Sequence, residues 1–300
     1  MSDVQPLAGA GPSVDPGGAD QAPGLLRRSW ANGRTKTGLG ITLLVVAMAL
    51  IGPFVAPGGE TAIVGPPNAT EVPGLLFGTD TTGRDVWSRF LFGGVSVLWL
   101  SALCTIVGVG AGLLIALLAG YSRTWVDEVL MRTTDVFLAF PAIVLALLFL
   151  AIFQPSPWTV ILTVALGHAP RVARVMRAAV LDVAGRDYVR SAESMGLRRW
   201  AIRLGDLLPN VTGPLMVECG LRLTYSIGLV AGLGFLGLSG LEADQADWGL
   251  MINEGRIAFT VQPWPVLLPV IAIGLLTIGT NLVADGIARA AAGTDREVAG

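Results

Sequence analysis

The sequence predicts an all-α integral membrane protein with six transmembrane helices. Apolar runs of about twenty residues recur along the whole chain, long enough to cross a bilayer as helices. Only 14% of the 300 residues are charged, against roughly a quarter in a soluble domain. Those charges are gathered at the ends of the apolar runs. Backbone groups in hydrocarbon must bond within their own segment, so each run implies a helix. An apolar content of 53% and a mean hydropathy of +0.66 fit one polytopic domain better than two soluble ones.

Residues 1–37 are rich in Gly, Pro, Ala and Ser and lack an apolar period, so they read as a disordered cytoplasmic tail. They hold no short apolar core of a cleaved leader, and the first run is long enough to be retained as an anchor. That run gives a first transmembrane helix over 38–57, its apolar part ending near 56, followed by an external segment over 58–93. The remaining spans are expected at 94–120, 134–153, 158–179, 208–238 and 264–288 within a core of 94–290. Residues 291–300 form a second cytoplasmic tail. The fourth span has the shortest clean run, Trp158 to Gly167, and continues through Arg171, Arg174 and Arg177 as a helix leaving the bilayer.

Orientation follows from the basic residues. Arg27, Arg28, Arg34 and Lys36 precede the first span, Arg123 and Arg132 lie between the second and third, and eight arginines lie from 171 to 203. Arg289 and Arg296 follow the last span, while only Arg84, Arg89 and Arg256 fall on the opposite side. The positive-inside bias places both termini and the stretch from Arg190 to Asn210 in the cytoplasm. Gly108 with Gly112, and Gly228 with Gly232, have the small-residue spacing of close helix contact. Pro53, Pro141 and Pro269 are expected to kink or break their helices.

Several functions are excluded by what the chain lacks. A phosphate-binding loop of the G-x-x-x-x-G-K-[ST] type needs a lysine after glycine, and the single lysine, Lys36, follows Thr35. ATP therefore has no site of that type here. His168 has no second ligand at metal-binding spacing, and Cys104 and Cys219 sit in apolar runs, so neither a metal site nor a disulfide framework is expected. No catalytic constellation is present, which argues against an enzyme. Glu218 and Arg222 stand one helical turn apart within a span. They are either a self-neutralising pair beside a wet cavity or part of a translocation path for a polar solute. Asp135 reads as a helix-start residue favoured by the dipole. The last external loop is acidic at Glu242, Asp244, Asp247 and Glu254.

The stretch from Arg190 to Asn210, "RSAESMGLRRWAIRLGDLLPN", departs from the apolar pattern. It predicts a helix, a turn at Gly196, and a short amphipathic helix with Trp200, Leu204, Leu207 and Leu208 at helical spacing. Gly196 allows either positive φ or the close approach of another backbone. An apolar knob rimmed by arginines suits protein docking.

"SAESMG" followed by Leu208 and Pro209 resembles the EAA loop of binding-protein-dependent ABC importer permeases. "GTDTTGRDVWSRFLFGG" from Gly78, "RTTDVFLAFPAI" from Arg132, "GLGFLGLS" from Gly232, "DWGLMINEGR" from Asp247 and "NLVADGIARA" from Asn281 resemble the C-type subunits of its dipeptide/oligopeptide/nickel branch. Arg190 stands where the family often has glutamate. The resemblance implies a type I ABC importer permease fold whose EAA loop, at 190–210, forms a cytoplasmic coupling helix. Contact with the ATPase would fall to Ser191, Ala192, Glu193, Ser194, Met195, Gly196, Leu197 and Trp200. It further implies a homologous second permease, two cytoplasmic ATPase subunits carrying ATP and Mg, and an external solute-binding protein. Membrane lipid is an expected partner and nucleic acid is not. Di- or oligopeptides are the expected solutes, with nickel or another small solute as the alternative. A self-contained secondary transporter would need several buried acids, of which only Glu218 lies well inside a span.

Overall fold

The computed structural model describes residues 33–122, 125–242 and 244–292. Most of the two expected tails, together with Arg123, lies outside them; residues 33–37 and 291–292 are helical. The chain is a succession of helices: α1 Gly33–Val55, α2 Val86–Ser122, α3 Trp125–Leu138, α4 Ala142–Phe153 and α5 Pro157–Ala184. Then come α6 Asp187–Ser194 and α7 Arg199–Ile202, which runs through a π-helical turn, Arg203–Leu207, into α8 Leu208–Asn210. The last three are α9 Thr212–Phe235, α10 Trp248–Gly255 and α11 Trp264–Ala292. Among the described residues, strand-like pairing is limited to isolated bridges, Ile63 with Arg84 and Thr79 with Asp85.

Helices α1, α2, α9 and α11 combine the length and apolarity needed to cross a membrane. The pair α3 and α4 meets the same test only together, and it is bent by 90°. The break falls at Ala139–Pro141, where proline removes an N–H and pushes the preceding residue out of the helical region. Pro53 and Pro269, in contrast, lie inside continuous helices. The remaining long helix, α5, starts at a capping box: the Ser156 hydroxyl accepts from the Thr159 amide, and the Thr159 hydroxyl accepts from Ser156 N. It continues unbroken through Pro170 and all three arginines.

The second span starts earlier than the apolar pattern predicts, at Val86 rather than 94. Asp85 explains this, because its carboxylate accepts from Trp87 N at 3.2 Å, Ser88 N at 3.0 Å and the Ser88 hydroxyl at 2.6 Å. That satisfies the orphan amides of a helix start. Helix α2 is the spine of the molecule, and α5 lies along it. A Cβ added at Gly108 would sit 2.9 Å from that of His168, and one at Gly112 2.6 Å from that of Val172. Only glycine lets the backbones approach so closely. Gly228 and Gly232 do not behave this way: nothing lies within 4 Å of a Cβ at either. Small-residue spacing reports the capacity for close approach, and among the described residues no helix covers that face of α9.

Three buried clusters fill the interior. One, around Phe90, Trp248, Ile227 and Leu276, joins α1, α2, α9, α10 and α11. A second, around Leu100, Leu150, Val160 and Leu233, joins α2, α4, α5 and α9. The third, around Val172, Met176, Val189, Ile202 and Leu207, ties the excursion from α6 to α8 to α2 and α5.

Candidate functional site

The excursion from α6 to α8 stands on a buried base. Val189 and Ala192 of α6 are buried against Ile202 and Leu207, which fixes the two arms together. Helix α6 ends at a Schellman turn. Leu197 N donates to Ala192 O at 3.3 Å and Gly196 N to Glu193 O at 3.0 Å, with Gly196 at φ +76°. Nothing lies within 4 Å of a Cβ at Gly196, so the glycine serves the left-handed backbone and not a close neighbour.

Of the residues expected at this loop, Ser191, Glu193, Ser194, Met195, Gly196, Leu197 and Trp200 are exposed, and Ala192 alone turns into the core. Met195 is 74% exposed, and Leu197, Trp200 and Leu204 are about half exposed. The amphipathic stripe therefore divides: Trp200 and Leu204 point outward, while Leu207 is fully buried. Arg190 is exposed on α6.

One residue that spacing alone does not single out anchors this element. Arg203 is buried, with its guanidinium 5.3 Å from the Trp200 ring centre and 5.4 Å from that of Tyr121, at the end of α2. Burial, and then the charge of Arg199, push the Arg203 guanidinium below its ordinary value. The π-helical turn beginning at Arg203 sets this register, a feature frequent at functional positions. Tyr121 lies far away in sequence, and only the fold reveals it.

Within the spans, Arg222 Nε donates to Glu218 Oε2 at 3.1 Å, both residues being buried. The Arg222 guanidinium lies 5.2 Å from the Tyr225 ring centre. Beside it is a cavity of about 310 Å³ lined by Ala142, His168, Arg171, Arg222, Tyr225 and Leu229; Glu218 is not part of its wall. His168 Nε2 shares a 2.9 Å hydrogen bond with Ser226 Oγ, and Thr105 Oγ1 lies 3.0 Å from that oxygen. The histidine thus joins α2, α5 and α9 as a buried polar link. Among the described residues no cluster of His, Cys, Asp or Glu could hold a metal ion.

Asp135 requires a correction. It lies in the last turn of α3, the wrong end for a dipole-favoured acid, and pairs instead with Arg174 of α5. Asp127, in the first turn of α3, makes a forked pair with Arg177 at 2.6 and 2.5 Å.

At the start of α2, two stretches 165 positions apart lock together. Arg89 Nη1 donates to Asp80 Oδ2 at 2.6 Å and to Glu254 Oε2 at 2.7 Å, and Arg84 Nε adds a 3.1 Å bond to Asp80 Oδ2. Burial alone would raise the Asp80 pKa, but hydrogen bonds from Arg84 and Thr82 and the Arg89 charge outweigh it, leaving it below the usual value. Trp248, fully buried, donates Nε1–H to Phe90 O at 2.8 Å. Asp247 caps α10 through Leu250 N at 3.0 Å and accepts from Ser96 Oγ at 2.7 Å. Gln262 clamps the segment between α1 and α2 by donating Nε2 to Phe77 O at 2.9 Å and Ala69 O at 3.2 Å.

Residues 112–292 match the family described as the binding-protein-dependent transport system inner membrane component. The dipeptide transport system permease protein DppC of Alkalihalophilus pseudofirmus is 31% identical over 83% of this chain and 82% of its own length. The glutathione transport system permease protein GsiD of Pectobacterium atrosepticum is 36% identical over 70% of this chain and 69% of its own. Among solved structures, an inward-facing MetNI methionine ABC transporter chain aligns with a TM-score of 0.52 at 18% identity. The alignment covers 66% of this chain and 96% of that one, a likeness of fold. The chain belongs to the binding-protein-dependent transport system inner membrane components, as a multi-pass ABC importer permease subunit and not an enzyme.

Proposed function

We propose that this permease carries di- or oligopeptides into the cytoplasm by alternating access, driven by ATP and Mg bound on two cytoplasmic ATPase subunits. A homologous second permease completes the pathway, an external solute-binding protein delivers the solute, and lipid surrounds the spans. The observation that carries the reading is the exposed apolar tip, Met195, Leu197 and Trp200, held rigidly on a buried base. A soluble surface gains nothing from such a tip, whereas a docked one is covered. Arg203 links the tip to α2, so a push on the loop is delivered to the spans as a shift between two packed arrangements. The peptide substrate rests on the names of the relatives. Six spans, with α5 and the bent α3–α4 pair crossing, and cytoplasmic termini agree with the basic residues on one side.

Replacing Gly196 with leucine tests the coupling role. Left-handed backbone costs a non-glycine residue about 1–2 kcal/mol, so the tip should lose its geometry while the buried base stays folded. The assembled complex should lose dialanine uptake by at least about tenfold, the factor that 1.4 kcal/mol represents, without a matching loss of ATP hydrolysis. Uptake at the unmodified rate would remove the loop from the coupling pathway. A ligand panel on the partner binding protein decides the solute class.

A further inference from the structure

The three arginines along one side of α5 are unequally neutralised. Arg177 and Arg174 each pair with an aspartate of α3. Arg171 has no carboxylate partner among the described residues; its Nη1 donates to Gly167 O at 2.9 Å, within its own helix. It lines instead the 310 Å³ cavity that Arg222 lines from α9.

Arg222 spends Nε on Glu218 and rests against Tyr225, which leaves its two terminal nitrogens without a carboxylate. Two guanidiniums and one carboxylate leave one net positive charge at this cavity. His168 adds no compensating anion, and its buried Nδ1 has no hydrogen-bond partner. On the proposed topology Pro157 and Phe235 are the external ends of α5 and α9; Arg171 lies fourteen residues from the first and Arg222 thirteen from the second. At 1.5 Å per residue both sit about 20 Å deep, inside a hydrocarbon layer of about 30 Å. An uncompensated charge at that depth is costly, and the cavity has room for the group that would compensate it. Arginine forks match a planar carboxylate in bidentate geometry.

We propose that this cavity binds a carboxylate of the transported solute between Arg171 and Arg222. On the peptide reading, on which the solute's identity rests, that group is the peptide's C-terminal carboxylate. Glu218 fixes Arg222 by its Nε and holds the site at a single net charge, so that the anion is attracted and still released.

The test uses the complete complex in phosphatidylcholine nanodiscs. Ala142→Cys, in the cavity wall, is introduced into a chain with Cys104→Ala and Cys219→Ala. The rate of labelling by an anionic methanethiosulfonate, relative to a cationic one, should fall about tenfold when Arg171→Gln is added. Arg171→Lys should restore it. A ratio indifferent to residue 171 overturns the site. Dialanine and acetate should protect the cysteine from the anionic reagent, and dialanine amide should not; equal protection by the amide overturns the assignment to a carboxylate. Exchange into phosphatidylglycerol separates the sources of the anion: if that lipid alone suppresses labelling, a headgroup occupies the site and the solute assignment falls. Absence of dialanine uptake by the unmodified complex would remove the peptide reading, while acetate protection still decides the anion site.

Discussion

Replacing Asp80 with asparagine asks how much the Asp80–Arg89–Glu254 lock contributes. Asp80 Oδ1 accepts from Thr82 N, Thr82 Oγ1 and Arg84 N at 2.8 to 2.9 Å, and Oδ2 accepts from Arg84 Nε and Arg89 Nη1. Asparagine keeps one acceptor oxygen but turns an NH₂ toward two guanidiniums. Arg89, 1% exposed and already with Nε and Nη2 unpartnered, would retain only Glu254. Breaking a buried pair by removing one partner costs about 3–5 kcal/mol. For a chain of this size that corresponds to roughly 6–20 °C in melting temperature. The assay is thermal unfolding of the purified complex, with Arg132→Gln as the control. Arg132 pairs with Glu128 in full exposure, 77% and 66% by side chain, and its loss should change little. The lock also has a pH signature. A carboxyl whose folded pKa is depressed contributes fully above its unfolded value, near 3.9, and loses that contribution as pH falls through the folded value. The difference between the two proteins should therefore shrink in acid. A shift below about 2 °C at neutral pH, equal to that of Arg132→Gln, would refute the argument.

Gly112→Leu should wedge α2 from α5, since even a Cβ would meet that of Val172 at 2.6 Å; overpacking of this kind costs about 1–3 kcal/mol or more. Reduced yield of folded complex in detergent would show it, and an unchanged melting temperature would contradict the packing. Asp247 titrates in the opposite sense to Asp80: burial, against hydrogen bonds from Ser96 and the α10 amides, raises its pKa. The folded state then binds the proton more tightly, so stability falls as pH rises from about 4 through the raised value and is flat above it. Asp247→Asn, which keeps an acceptor for Leu250 N, should remove that fall; parallel stability curves for the two proteins would refute it.

Local signals were legible where one element contains the whole interaction. Glu218 and Arg222 pair because a helical turn separates them, and Gly196 ends α6 because only its backbone angle closes the turn. Residues whose partners come from another element were not. Arg89 looked like an external loop charge and shifted the expected start of α2 to 94, because its neutralisation depends on Asp80 and on Glu254, far along the chain. Asp135 lies at the opposite helix end because α3 begins at Trp125, ahead of the apolar run, in a charged stretch whose Asp127 is neutralised by Arg177 of another helix. Gly108–Gly112 and Gly228–Gly232 share one spacing, yet among the described residues only the first pair has a helix against it. Arg203 and Tyr121 meet only through the packing of the loop on α2.

Helix α2 runs 37 residues with no proline, from the Arg89 lock at one face to Tyr121 at the other. At 1.5 Å per residue it is a rod of about 55 Å without a joint. Tilting such a rod by about 5° about its centre carries each end roughly 2.4 Å, in opposite directions. Whatever displaces Tyr121 at one end must therefore register at Arg89 at the other, so the α6–α8 loop and the Asp80–Glu254 cluster are joined mechanically through a single helix.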